Sequence, residues 1–169
     1  NHLQGETVFG GEFFDRQYYT KGRRTRYGLE LSWAIGPASV AAEHIVSRLL
    51  IKPGGYVPGN MYFTTTRLHQ ELAGAQFVDV IVDTAHDPTS RDPFKGNVDL
   101  GKLEALIARV GAANVPYVSI ATTVNMAGGQ PISLANLKAL REWCTTHGIL
   151  LVHDMTRVAE NAYFIQQRE

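Results

Sequence analysis

Three apolar runs constrain this chain most: Phe77-Val78-Asp79-Val80-Ile81-Val82, Pro116 to Thr123, and Ile149-Leu150-Leu151-Val152. Each is short, rich in β-branched residues and bounded by Gly, Pro or polar residues, the pattern of a strand. They are too continuous for a sheet with one wet face. Segments of helical period separate them. After Asp99, a capping residue, come Leu100, Leu103, Leu106, Ile107 and Val110, with Gly111 behind them. After Ser133 come Leu134, Leu137, Leu140 and Cys144, followed by Gly148. A last helix spans Thr156 to Gln167. Strands alternating with helices predict an α/β fold of three layers, a mostly parallel sheet with both faces covered.

Upstream the pattern is less regular. Leu29, Leu31, Trp33 and Ile35 alternate as in a strand, stopped by Gly36-Pro37. A helix follows from Ser39, its candidate cap, with Ala42, Ile45, Val46, Leu49 and Leu50 as its apolar stripe, and Lys52-Pro53-Gly54-Gly55 ends it. Tyr56 to Asn60 reads as a short extended piece, Thr64 to Leu72 as a helix, and Thr84 to Asn97, with two prolines, as a loop. The first 28 residues have no clear period.

A length of 169 residues suits one domain, and 44% apolar content is enough for a core. Sixteen basic and sixteen acidic residues cancel, so no overall field draws the chain to nucleic acid or an anionic membrane. The basic run Lys21 to Arg26 is read as a solvated loop, with a nucleic-acid arm as the alternative. No apolar run is long enough to span a bilayer. The one cysteine, Cys144, lies on a helix stripe and reads as inert core, and the absence of a possible internal disulfide suits a cytoplasmic protein. His69, His86, His147 and His153 lack metal-ligand spacing, so no metal site is expected.

In open parallel sheets, ligands bind beyond the carboxyl ends of the strands. That rule selects Thr122 to Asn125 and His153 to Arg157. Taken singly, Asp154 reads as a helix cap, Asn125 as a turn residue and Arg157 as a surface cation. Gly128-Gly129-Gln130-Pro131 matches neither phosphate-loop fingerprint and reads as a turn.

Taken together, GNMYFTTTRLHQELAGA (59–75), PFKGNVDL (93–100), VNMAGGQPISLANL (124–137) and DMTRVAENAYFIQQRE (154–169) resemble the aromatic amino acid β-eliminating lyases. These depend on pyridoxal 5'-phosphate. The resemblance implies part of the large domain of a fold-type I, aspartate aminotransferase-like enzyme. It also implies the cleavage of tyrosine or tryptophan to phenol or indole, pyruvate and ammonium. Asp154 then matches the carboxylate that pairs with the cofactor's pyridine nitrogen. Asn125 and Arg157 match the residues at its phenolic oxygen, and Phe63 matches the ring that stacks on it. Thr64 matches a residue beside the substrate's leaving group, as in the tyrosine-cleaving branch; the tryptophan-cleaving branch typically carries Asp there.

The resemblance runs from about Glu43 to Glu169 and implies a partial large domain over 37–169. Residues 1–36 are read as an unmatched N-terminal segment. The family's Gln-Gly-Arg phosphate run is here Ala38-Ser39-Val40, which leaves the Ser39 hydroxyl and backbone N–H groups for a phosphate. Ligands for the family's monovalent cation are not found. The Schiff-base lysine motif is also not among Lys21, Lys52, Lys95, Lys102 and Lys138, so this polypeptide on its own is expected to be inactive. The family implies a homo-tetramer with shared sites. The alternative is a non-catalytic remnant or interaction module that keeps the fold.

Overall fold

The computed structural model describes the backbone at residues 2–4, 15–17 and 37–42 and complete residues from Glu43 to Glu169. The expected strand at Leu29 to Ile35, the basic run and the Ser39 side chain lie outside the described residues. The chain divides into two compact units, Asn1–Ser32 and Trp33–Glu169. In the first, β1 (His2–Gln4) pairs antiparallel with β2 (Asp15–Gln17), with His2 opposite Gln17.

Among its described residues, the second unit is built on four parallel strands in the order β4-β3-β5-β6. These are β3 (Tyr56–Gly59), β4 (Gln76–Asp79), β5 (Tyr117–Ala121) and β6 (Leu150–Asp154). The short extended piece at Tyr56 is therefore an inner strand. Its four residues and its central Pro58 hide that role from any propensity argument. The run from Phe77 forms regular sheet only to Asp79, because the Asp79 carboxylate takes the Ile81 N–H at 3.0 Å and turns the chain.

Among the described residues, five helices cover the sheet: α1 (Pro37–Leu50), α2 (Thr64–Leu72), α3 (Leu100–Val110), α4 (Leu134–His147) and α5 (Val158–Arg168). The caps follow the sequence. The Asp99 side chain accepts from the Gly101 and Lys102 N–H groups, and the Ser133 side chain accepts from Asn136 N–H. Gly148, at φ 65°, closes α4 in the left-handed conformation. The backbone of α1 is helical from Pro37, two residues before Ser39, the expected cap; Pro suits a first helical position because its φ is fixed.

The core has two parts, one on each face of the sheet. Val118 and Ile120 of β5 pack with Leu103 and Leu106 of α3 and Leu140 and Cys144 of α4. Tyr117 of β5 and Val57 of β3 point the other way and pack with Ile51, Ala73 and Ala75, at the ends of α1 and α2. Alternate residues of one strand thus serve opposite layers, which is the expected three-layer α/β arrangement. Cys144 is fully buried, and burial pushes its thiol up to about 11. One stripe differs from expectation: Ile45 and Leu49 of α1 are 55% and 78% exposed. Helical spacing locates a stripe but does not say what covers it.

Candidate functional site

The register of β5 and β6 places Ala121 beside Asp154 at the carboxyl edge of the sheet. The pairing continues past both strands. Thr122 N–H donates to the Asp154 carbonyl at 3.0 Å, and Arg157 N–H donates to the Thr122 carbonyl at 2.9 Å. The two segments selected from the sequence are therefore neighbours.

Asp154 is half-buried, and its Oδ1 accepts from Thr156 N–H at 2.9 Å and Thr156 Oγ1 at 2.5 Å. Its Oδ2 has no hydrogen-bond partner among the described residues. The neighbouring His153 shares a 2.9 Å hydrogen bond between its Nε2 and Thr122 Oγ1. Burial holds its pKa below the ordinary histidine value, opposed by the Asp154 charge. A neutral ring at this strand end adds no cation to compete for the carboxylate.

Asn125 opens a short 3-10 turn, Asn125–Ala127. Gly128 and Gly129, at φ 81° and 76°, then fold the chain back so that Val124 N–H reaches the Gln130 carbonyl at 2.8 Å. The glycine pair is a turn, as its sequence suggested. It sets Asn125 against α5, where Arg157 Nη1 donates to Asn125 Oδ1 at 2.7 Å.

A cleft of about 290 Å³, measured out to its open mouth, lies beside the ends of β3, β5 and β6. Met61, Phe63, Arg67, Phe77, Ile120 and Asp154 line it. Met61 takes a left-handed φ of 64° and donates its N–H to Asp79 Oδ1 at 3.2 Å, which turns the chain from β3 toward the cleft. Phe63 then sits at the N-cap of α2, 39% exposed.

The structure thus joins the expected residues in two groups. Asp154 and Phe63 share the cleft, and Asn125 and Arg157, which are not among its lining residues, bond each other. Thr64 is the exposed first residue of α2, and Thr66 rather than Thr64 is among the cleft residues. Ser39 is placed only by its backbone, in the first turn of α1.

Sequence reasoning passed over Asn60. It is fully buried and ties three segments together. Its Nδ2 donates to the carbonyls of Gly96 and Ala121 at 3.0 and 3.2 Å, and its Oδ1 accepts from Ala121 N–H at 2.9 Å. The signal was available: Asn60 is an amide directly after a strand, at the edge where a parallel sheet binds ligands.

The donors and acceptors suit a protonated heteroaromatic ring bearing an oxyanion. Asp154 Oδ2 is an acceptor for a ring N–H. The Asn125 amide, its oxygen engaged, and the Arg157 guanidinium offer donors to an anionic oxygen. Phe63 offers an aromatic face.

The fold is shared with aminotransferases. An alpha-aminoadipate aminotransferase from Thermus thermophilus, complexed with N-(5'-phosphopyridoxyl)-L-leucine, superposes with TM-score 0.50 at 18% identity, over 68% of this chain and 26% of that one. A kynurenine aminotransferase from Pyrococcus horikoshii gives TM-score 0.51 at 15% identity, over 68% and 26%. The class is therefore an α/β fold shared with these aminotransferases.

Sequence comparison narrows this further. The family model described as "Beta-eliminating lyase" matches residues 34–168, and the chain belongs to that family. It is similar to the tyrosine phenol-lyase of Symbiobacterium sp. strain SC-1, 66% identical over 128 residues, 76% of this chain and 28% of the relative. The Nostoc punctiforme tyrosine phenol-lyase is 68% identical over 128 residues, 76% of this chain and 27% of the relative. That of Lacrimispora saccharolytica is 61% identical over 168 residues, 99% of this chain and 35% of the relative, an alignment that runs on through residues 1–36. The chain thus spans about a third or less of the length of these curated relatives.

Proposed function

We propose that this chain is part of a pyridoxal 5'-phosphate-dependent lyase that cleaves tyrosine to phenol, pyruvate and ammonium. The observation that carries the reading is Asp154: a carboxylate at the end of a parallel strand, one oxygen uncommitted, sharing a cleft with Phe63. When bound, the cofactor supplies an electron-withdrawing ring that takes up charge developing on the amino acid. The residues of this chain set the conditions for that. Asp154 holds a proton on the ring nitrogen, and Asn125 and Arg157 favour the anionic form of the ring oxygen. Phe63 covers one ring face. Ser39 and the α1 N-terminus are assigned to the phosphate, and Thr64 to the side of the leaving group. Tyrosine is preferred to tryptophan because of Thr64 and because the relatives above are tyrosine phenol-lyases.

We assign residues 37–169 to the cofactor-binding large domain, and a boundary between compact units after Ser32 supports a separate N-terminal segment. Homo-oligomeric assembly is supported by the exposed Ile45 and Leu49 of α1 and Leu68 and Leu72 of α2. A cytoplasmic location is supported by the free, buried Cys144. The 169-residue polypeptide itself should be a binding unit without lyase turnover. Among the described residues, no lysine lines the cleft, Lys95 Nζ donates to the Asp87 carbonyl at 2.7 Å, and Lys102 Nζ donates to the Ile81 carbonyl at 2.6 Å.

The test is a titration of the chain with pyridoxal 5'-phosphate, followed by borohydride reduction and a pyruvate assay with L-tyrosine. Saturable binding that Asp154→Asn weakens, with no lysine labelled and no pyruvate, is the expected result. Binding indifferent to Asp154→Asn would sink the cofactor assignment, and stoichiometric labelling of one lysine would sink the claim of inactivity.

A further inference from the structure

We infer that Thr156 is a positioning residue that fixes the plane of the Asp154 carboxylate, engaging one oxygen and leaving the other to a ligand. The inference rests on the cofactor reading above and deepens it. The torsion that orients an aspartate carboxylate is soft and nearly two-fold, so the backbone alone does not fix the plane in which its two equivalent oxygens lie. At Asp154 the backbone is already held. Its carbonyl accepts from Thr122 N–H at 3.0 Å and from Thr122 Oγ1 at 3.4 Å. The remaining freedom is in the carboxylate, and Thr156 removes it. Both its N–H, at 2.9 Å, and its hydroxyl, at 2.5 Å, donate to the same oxygen, Oδ1.

Two donors on Oδ1 leave Oδ2 as the oxygen open to a ligand, in a residue that lines the cleft. The place of Thr156 in the chain strengthens the point. It stands between Asp154 and Arg157, and Arg157 is in turn anchored by its N–H to the Thr122 carbonyl and by its guanidinium to Asn125. Side chains assigned to opposite edges of one ring are therefore spaced by a segment held at both ends. A helix-capping role does not account for this arrangement: the N-cap of α5 is Arg157, and no side chain caps it. The acceptor so prepared suits a protonated ring nitrogen, and a ring with carbon at that position gains nothing from it.

The test compares wild-type chain, Thr156→Val and Thr156→Ser against two ligands, pyridoxal 5'-phosphate and its 1-deaza analogue, in which C–H replaces the ring nitrogen. Affinities are read by fluorescence or NMR titration, and circular dichroism verifies folding. The wild type should prefer the nitrogen-containing ligand. Thr156→Val should lower that preference about tenfold, the scale of one charge-assisted hydrogen bond, while Thr156→Ser should hold it within about twofold. Affinity for the deaza analogue should stay within about twofold in all three, since it makes no use of the carboxylate. A Thr156→Val chain with undiminished preference, or with equal loss for both ligands, would overturn the inference and leave the cofactor assignment standing. A wild-type chain with no preference would overturn the cofactor assignment and this inference with it.

Discussion

Arg157 and Asn125, 32 positions apart in sequence, are joined by a 2.7 Å hydrogen bond from the guanidinium to the amide oxygen. That bond decides which way the Asn125 amide faces. With its oxygen engaged, its N–H₂ is the end left to a ligand. Neither residue carries this information by itself, since each has a bland reading as a turn or surface residue.

The pair gives the first prediction. Arg157→Ala should lower affinity for pyridoxal 5'-phosphate by about tenfold, because it removes a cation and frees the amide to rotate. Asn125 is exposed and Arg157 only half-buried, so stability should change by less than about 0.5 kcal/mol. A cofactor titration and a urea melt on the same sample separate the two effects.

The second concerns pH. His153 has its pKa lowered from an ordinary 6.5, chiefly by burial. Above that value the ring is neutral both folded and unfolded, and the fold keeps its full stability. As pH falls below it, the unfolded chain takes up the proton first, so stability is lost down toward the folded-state pKa. Between about pH 7 and 5, wild type should therefore lose stability more steeply than His153→Asn. Parallel profiles of melting temperature against pH would remove this assignment.

A third prediction tests the inner strand. A Cβ on Gly59 would lie 2.5 Å from the Ser119 carbonyl oxygen and 2.9 Å from Phe77 Cε2. The first of these is backbone of the neighbouring strand and cannot yield as a flexible side chain would. Gly59→Ala should cost at least about 2 kcal/mol in equilibrium unfolding, at the upper end of overpacking effects.

The fourth addresses Asn60. Asn60→Ala strips partners from Ala121 N–H and from the Gly96 and Ala121 carbonyls, all near the cleft. Buried polar groups left unpaired cost roughly 1–3 kcal/mol each before relaxation, so a net loss of about 2–4 kcal/mol is expected. Cofactor affinity should fall as well, because Ala121 pairs with Asp154 across the sheet. Unchanged stability would show that water replaces the amide.

Much of the fold was legible because it is locally encoded. The helix from Thr64 to Leu72 has the bounds its pattern implied, and Asp99 and Ser133 cap α3 and α4 as their residue types suggest. The strands leading to Asn125 and Asp154 were marked by β-branched content, and a strand end is where a parallel sheet binds ligands. The rank of Tyr56–Gly59 as an inner strand was not legible, nor was the exposure of Ile45 and Leu49. Both depend on neighbours distant in sequence.

The division follows from the range of the forces. Propensity, capping and periodicity act within a turn or two, so the sequence by itself determined most of the helices, the strands β4, β5 and β6, the family and the residue types at the strand ends. Hydrogen-bond geometry acts only after the chain has folded. The tertiary structure decided that Phe63 and Asp154 share one cleft and that Asn60 binds the strand ends together. It also decided how the Asp154 carboxylate is turned, with one oxygen held and one left open. That last choice depends on where the N–H and hydroxyl of Thr156 lie once β6 turns toward α5, a matter of ångströms that no residue pattern records.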